Sequence, residues 1–395
     1  MNEELPLDFD AARRRATERR AAGVAVDFDP SRLALARRLA AYPRARLARE
    51  LDITPTAVGQ FEKGQARPSL PVLTGMAEVL GVPVDFFRAG QPIASLPASA
   101  AHFRSLRATT AMEREQALAF GELVLSVFAA VELSVDLPEV SLPALAFSGD
   151  LDEAAVAEAA HQARRGMGIA SGPVPHVIRL LESHGVAVAR LESASEHVDA
   201  FSHQQAVHPR SGGALDARPL VLLAPGDSDK ARDKARDRFT AAHELGHLLM
   251  HHDTEPGSRL AENQANDFAA EFLAPASEIG SSLPTRLDWV RLQELKHRWG
   301  MSLKALLMRA HKLGRLTDHS YRRGMQQLSA WGLPEPGALG DSEQPVLLPR
   351  AVSLLGGEAV LPRIAEDAGM PLSEVRRVWL ATGGADERPR VQLLP

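Results

Sequence analysis

The chain has 395 residues, enough for two or three domains with cores of their own. A net charge of −5 excludes a generic polyanion binder, although a local basic surface is compatible with it. Cysteine is absent, which excludes disulfides, zinc-thiolate sites and a catalytic thiol, and makes a reducing cytoplasm the expected compartment.

Residues 1–30 are charged, with Arg13–Arg15 and Arg19–Arg20 ahead of Asp-Phe-Asp-Pro, and read as an N-terminal arm. They contain no apolar core of signal-peptide length, and no later run approaches eighteen apolar residues. Neither export nor a membrane span is expected. From Ser31 the pattern changes to short capped helices, a five-helix unit over 31–90. Ser31 is placed to cap a helix ending near Tyr42–Pro43. Leu47, Ala48 and Leu51 share an apolar face, and Thr54–Pro55 supply an N-cap and an N1 proline. Gly64 and Pro68 break the chain, and Leu70–Leu80 gives a helix stopped by Gly81. Between 31 and 70, eight Lys and Arg stand against three Asp and Glu, so the unit is basic on an acidic chain.

The stretch from Ser31 to Phe87 resembles an XRE-type (lambda-repressor-like) helix-turn-helix domain. The resemblance implies a first motif helix over 44–51, a turn at Asp52-Ile53-Thr54 and a recognition helix over 55–62. Its expected DNA-binding set is Arg44, Thr54, Pro55, Thr56, Gln60, Lys63 and Arg67. Of these, Pro55, Thr56 and Gln60 meet base edges in the major groove, and Lys63 and Arg67 meet phosphates. Tyr42-Pro43-Arg44 departs from the usual entry to the second helix, and Gly59 weakens the recognition helix.

Residues 91–149 read as a linker and a connecting helix: AGQPIASLPASAAHF (89–103), a helix over 104–133, then a Pro/Ser/Gly-rich boundary. A third region spans 150–285. It opens with helices over 151–167 and 176–184, then strands over 186–191 and 219–225. Two further helices follow, 238–252 and the Ala-rich 261–273. The alternation DKARDKARDR (229–238) reads as a solvated approach. Residues 286–331 form a helical, helix-turn-helix-like extension, and 332–395 a Pro/Gly linker with a helical end.

The chemistry concentrates in FTAAHELGHLLMHHD (239–253), where four of the chain's 14 histidines fall within ten positions. His243 and His247, at i and i+4 on a helix, reach one ion at roughly 2.0–2.1 Å. Glu244, turned by about a hundred degrees, reaches a water on the metal rather than the metal itself. A catalytic zinc takes three protein ligands and leaves one position open. Glu262 is the expected third ligand, because Ala265, Asn266 and Ala269 share its face and let two helices approach. Glu271, turned about 180° away, is the alternative. Gly246 lowers helix propensity by about 1 kcal/mol and suits close approach of a neighbouring helix. His251 falls one turn beyond His247, where it lines the cleft or answers the helix macrodipole. An oxyanion donor is sought in Tyr321 or His252.

Arg238-Phe239-Thr240-Ala241-Ala242-His243-Glu244-Leu245-Gly246-His247, followed by Glu262 and the run Ala265 to Pro275, resembles the ImmA/IrrE family of metallopeptidases. Phe272-Leu273-Ala274-Pro275 departs from the usual Leu-Leu-Met-Pro at a packing position. The likeness extends back to about residue 150. It implies a zincin-like domain with a small antiparallel sheet on two ligand helices, and cytoplasmic proteolysis of transcriptional regulators.

The expected fold is α+β and mostly helical, with an N-terminal five-helix DNA-binding unit, the peptidase domain and a helical C-terminal region. Zn2+ is the expected cofactor, with Glu244 as general base. The expected partners are double-stranded operator DNA, a protein substrate that is a transcriptional repressor, and a second copy of the chain in a homodimer. The competing reading is a peptidase-like sensor of ligand or stress that regulates transcription and cleaves nothing.

Overall fold

The computed structural model describes residues 23–88, 96, 101–103, 110–145, 151–191, 200–203, 208–210, 213–215, 218–224, 234–251 and 258–384. The arm through residue 22, most of the linker, the start of DKARDKARDR and His252 lie outside the described residues.

Strand alternation organises the molecule. The main sheet holds β1 (Ala101–Phe103), β2 (Ala187–Arg190), β3 (Ala200–His203) and β6 (Leu220–Leu223), in the order β1-β3-β6-β2. A separate ribbon pairs β4 (His208–Arg210) with β5 (Gly213–Leu215). Ala187, Ala189, Phe201, Leu220 and Leu222 face one apolar core, while Val188, Ala200, Val221 and Leu223 face another. Helices therefore cover both faces. The sheet is mixed rather than antiparallel: β6 inserts between β2 and β3, running parallel to the first and antiparallel to the second. In a sheet buried on both faces, parallel pairing is no anomaly.

One core lies under helices Lys234–Met250 and Arg259–Leu273, with Glu153–Gly166, Val177–Ser183, Trp289–Trp299 and Leu303–Lys312 around them. The other is built on helix Ala111–Val131, which is buried from Ala117 to Val131. Read from the sequence as a connector, this helix is central. It packs on the sheet, on the N-terminal helical unit and on the C-terminal helices Leu347–Leu354, Leu361–Ala368 and Leu372–Ala381. A Cβ at Gly121 would stand 2.7 Å from a Leu220 methyl and 2.8 Å from a Leu96 methyl, so the helix lies close on β6. Arg38 makes a two-nitrogen ion pair with Glu122, which also accepts from the Leu96 amide at 3.1 Å.

The N-terminal unit comprises helices Pro30–Leu39, Arg44–Glu50, Pro55–Glu62 and Leu70–Leu80, and a 3-10 turn at Val84–Phe87. Its first cap is Asp29 rather than Ser31: the Asp29 carboxylate accepts from the Ser31 amide at 2.9 Å, and Pro30 opens the helix. Val24 and Phe28 are buried with this unit, so its core begins within the expected arm. The linker over 332–347 is likewise anchored. Glu335 accepts from the Leu303 amide at 2.7 Å, and Glu343 accepts from the Ile178 amide at 3.1 Å and pairs with Arg238. Asp237 and Arg238, expected in a solvated approach, are buried, with Asp237 paired to Arg190 at 2.9 Å.

Candidate metal centre and nucleic-acid interface

Helix Lys234–Met250 carries His243, Glu244 and His247 on a face that is wholly buried. Helix Arg259–Leu273, capped by Ser258, crosses it closely because the facing positions are small. A Cβ on Gly246 would lie 3.0 Å from the Phe268 ring and 3.4 Å from the Ala265 Cα. That contact sets the distance between the two helices, and Glu262 is brought to the histidines by it.

His243, His247 and Glu262 present ligand atoms within 4.8 Å of one another. The two Nε2 atoms are 3.1 Å apart, and Glu262 oxygens stand 3.5 Å from His243 and 3.4 Å from His247. Ligands at 2.0–2.1 Å around one tetrahedral zinc stand about 3.3 Å apart, so the donor set fits the ion. Glu262 keeps partial exposure, so the cluster opens on the carboxylate side.

Neighbours fix each ligand. His243 Nδ1 meets Asn266 Oδ1 at 3.0 Å, leaving Nε2 for the shared point. His247 Nδ1 meets His251 Nδ1 at 2.9 Å, and His251 Nε2 meets Gln264 Oε1 at 3.0 Å. His251 is thus buried in the ligand network rather than answering a helix dipole. Ser202, on β3, donates to Glu244 Oε2 at 2.6 Å. Sequence pattern singled out neither Ser202 nor Gln264. Two traces were present: Asn266 was placed on the Glu262 face, and the family resemblance takes in VDAFS (198–202), which ends on Ser202.

Glu271, the alternative ligand, faces away. It pairs with Arg309, meets His161 at 2.8 Å and accepts from the Ala276 amide at 2.9 Å. Burial works to raise its pKa, but the Arg309 charge and the hydrogen bonds from Arg309, the Ala276 amide and His161 outweigh it and lower it. The Tyr321 ring stacks on His311 at 4.4 Å, and His311 is held by Asp318 at 2.7 Å.

In the N-terminal unit, Arg44, Thr54, Pro55, Thr56, Gln60, Lys63 and Arg67 are all exposed. Thr54 Oγ1 accepts from the Ala57 amide at 3.1 Å and starts the recognition helix over Pro55–Glu62. Asp52, at φ 52°, makes the left-handed turn before it. The basic excess is only partly a surface property. Arg32 is buried against the Gly369 carbonyl, Arg37 pairs with Glu62, and Arg38 with Glu122. Arg44 also pairs with Glu62, while Arg67 donates to the Val26 carbonyl at 2.8 Å.

Residues 33–87 match the family model described as helix-turn-helix. Residues 181–311 match the peptidase-family model described as the IrrE N-terminal-like domain. No curated protein matches the chain. Among the described residues, no helix is long and apolar enough to cross a membrane.

Proposed function

We propose that this chain, which joins a helix-turn-helix unit to an IrrE N-terminal-like peptidase domain, is a zinc-dependent endopeptidase that cleaves a transcriptional repressor in the cytoplasm. The observation that carries the reading is the convergence of His243, His247 and Glu262 at zinc spacing, with Glu244 on the helix that carries the two histidines. Zinc, when bound, supplies Lewis acidity that acidifies water and polarises a peptide carbonyl. Glu244 takes the proton of the attacking water and returns it to the leaving amine nitrogen. Ser202, bonded to Glu244 Oε2, holds that carboxylate in one orientation. Asn266 holds His243 with Nε2 towards the ion. The helix-turn-helix unit brings the peptidase to an operator, Gln60 and its neighbours reading bases and Lys63 and Arg67 meeting phosphates. A homodimer would read two half-sites.

Co-expression with candidate repressors tests the reading. Wild type should cut one of them, and Glu244→Gln should cut it 10²–10⁴-fold more slowly while keeping its metal. Equal cleavage by both would remove Glu244 from the chemistry.

One observation favours the sensor reading. A single apolar core runs from the DNA-binding unit through Ala111–Val131 to the sheet that carries Ser202, so occupancy of the metal centre has a packed route to the DNA-binding face. Intact DNA regulation with no cleavage by either form would support it.

A further inference from the structure

Two side chains outside the ligand set form a directed hydrogen-bond line behind His247. Gln264 Nε2 stands 2.6 Å from the Leu151 carbonyl oxygen and donates to it. A carbonyl oxygen only accepts, so this contact fixes the orientation of the amide. Gln264 Oε1 is then the acceptor for His251 Nε2, 3.0 Å away. A neutral His251 with its proton on Nε2 has an accepting Nδ1, and that atom lies 2.9 Å from His247 Nδ1. His247 therefore carries its proton on Nδ1 and turns a bare Nε2 towards His243 and Glu262. His243 has a shorter route to the same state, with Asn266 Oδ1 directly at its Nδ1.

We propose that Gln264 and His251 act in series as positioning residues of the metal centre, selecting the His247 tautomer that offers Nε2 to the ion. The proposal rests on the metal-site reading above. The line begins at a backbone atom of Leu151, just before the helix Glu153–Gly166 that packs on Arg259–Leu273. His251 is 1% exposed, so water does not substitute for its partners. A ligating imidazole needs its second nitrogen held, and loss of such partners typically weakens metal binding about 10–100-fold.

A packing role and a tautomer-selecting role make opposite demands at position 264. Glutamate keeps an acceptor for His251 but faces the Leu151 carbonyl with a second oxygen. Leucine keeps bulk and offers no acceptor. Zinc affinity of the full chain, measured by competition with a chromophoric chelator, should stay near wild type in Gln264→Glu and fall about 10–100-fold in Gln264→Leu. Long-range 1H–15N spectra of the zinc-free protein should show His247 as the Nδ1–H form in wild type and Gln264→Glu, and a tautomer mixture in Gln264→Leu. The spectra report tautomers directly, so loss of packing alone does not mimic this pattern. A wild type that binds zinc, with Gln264→Leu binding at least as well as Gln264→Glu, would overturn the relay and leave the metal site standing. A wild type that takes up no zinc would overturn both.

Discussion

Glu262 and Glu271 lie nine residues apart on one helix, and their surroundings divide their roles. Glu262 faces two imidazoles across a gap of zinc dimensions, while Glu271 is enclosed by Arg309, His161 and the Ala276 amide. Replacing Glu271 by Gln leaves a buried Arg309 without its counter-charge, a loss of about 3–5 kcal/mol. Thermal or urea unfolding of Glu271→Gln should therefore show a large destabilisation, with zinc content kept in the folded protein. Helical spacing made His243, Glu244 and His247 readable from sequence, and the small residues around Glu262 singled it out. Ser202, His251 as a ligand partner and Gln264 were not readable, because each acts through a contact made only when separate segments pack. Tyr321 was singled out by the scarcity of tyrosine alone, which says nothing about which face of a helix it occupies.

At the scale of the element, the two ligand helices meet at Gly246. An alanine there gains about 1 kcal/mol of helix propensity but drives a methyl against Phe268, where overpacking costs about 1–3 kcal/mol. Gly246→Ala should be less stable in urea and bind zinc more weakly, since the same contact sets the reach of Glu262. A more stable variant with unchanged zinc affinity would show that the crossing has slack. In the helix-turn-helix unit, Arg67→Ala should weaken binding to all duplexes alike and flatten its salt dependence, because a phosphate contact carries no sequence information. Gln60→Ala should instead relax sequence preference, since a bidentate glutamine–adenine contact is worth about 1–3 kcal/mol of discrimination. Gel-shift titrations at two salt concentrations, on an upstream region and a scrambled duplex, separate the two effects. Caps and prolines made these helices legible almost to their ends. The basic excess over 31–70 was legible only as a count, because Arg32, Arg37 and Arg38 turn inward to acceptors contributed by other helices.

At the scale of the whole molecule, segments that read as linkers are structural. Ala111–Val131 joins the DNA-binding unit to the sheet, and Glu343 ties the stretch after Trp331 to the peptidase fold. Sequence pattern records how apolar a helix is, not which distant segments cover it, so this joining was hidden. A second buried carboxylate closes the same region. Glu182 accepts from the Val346 and Leu347 amides at 2.9 Å, and burial pushes its pKa up from 4.5 to about 7 against the pull of those amides. A raised carboxyl contributes stability that is fully present below 4.5 and is lost as pH rises through 7. Glu182→Gln keeps an acceptor for both amides and has no proton to lose. Its melting temperature should gain on wild type steadily from about pH 5 to about pH 8. Parallel pH profiles for the two proteins would contradict that assignment.

The metal centre is the claim on which the functional account depends, and zinc content per chain tests it most directly. Elemental analysis of the purified wild type and Glu271→Gln should find about one zinc each, and Glu262→Gln should retain little, as expected when one of three protein ligands is lost. Zinc kept by Glu262→Gln and lost from Glu271→Gln, or no zinc in the wild type, would contradict the account.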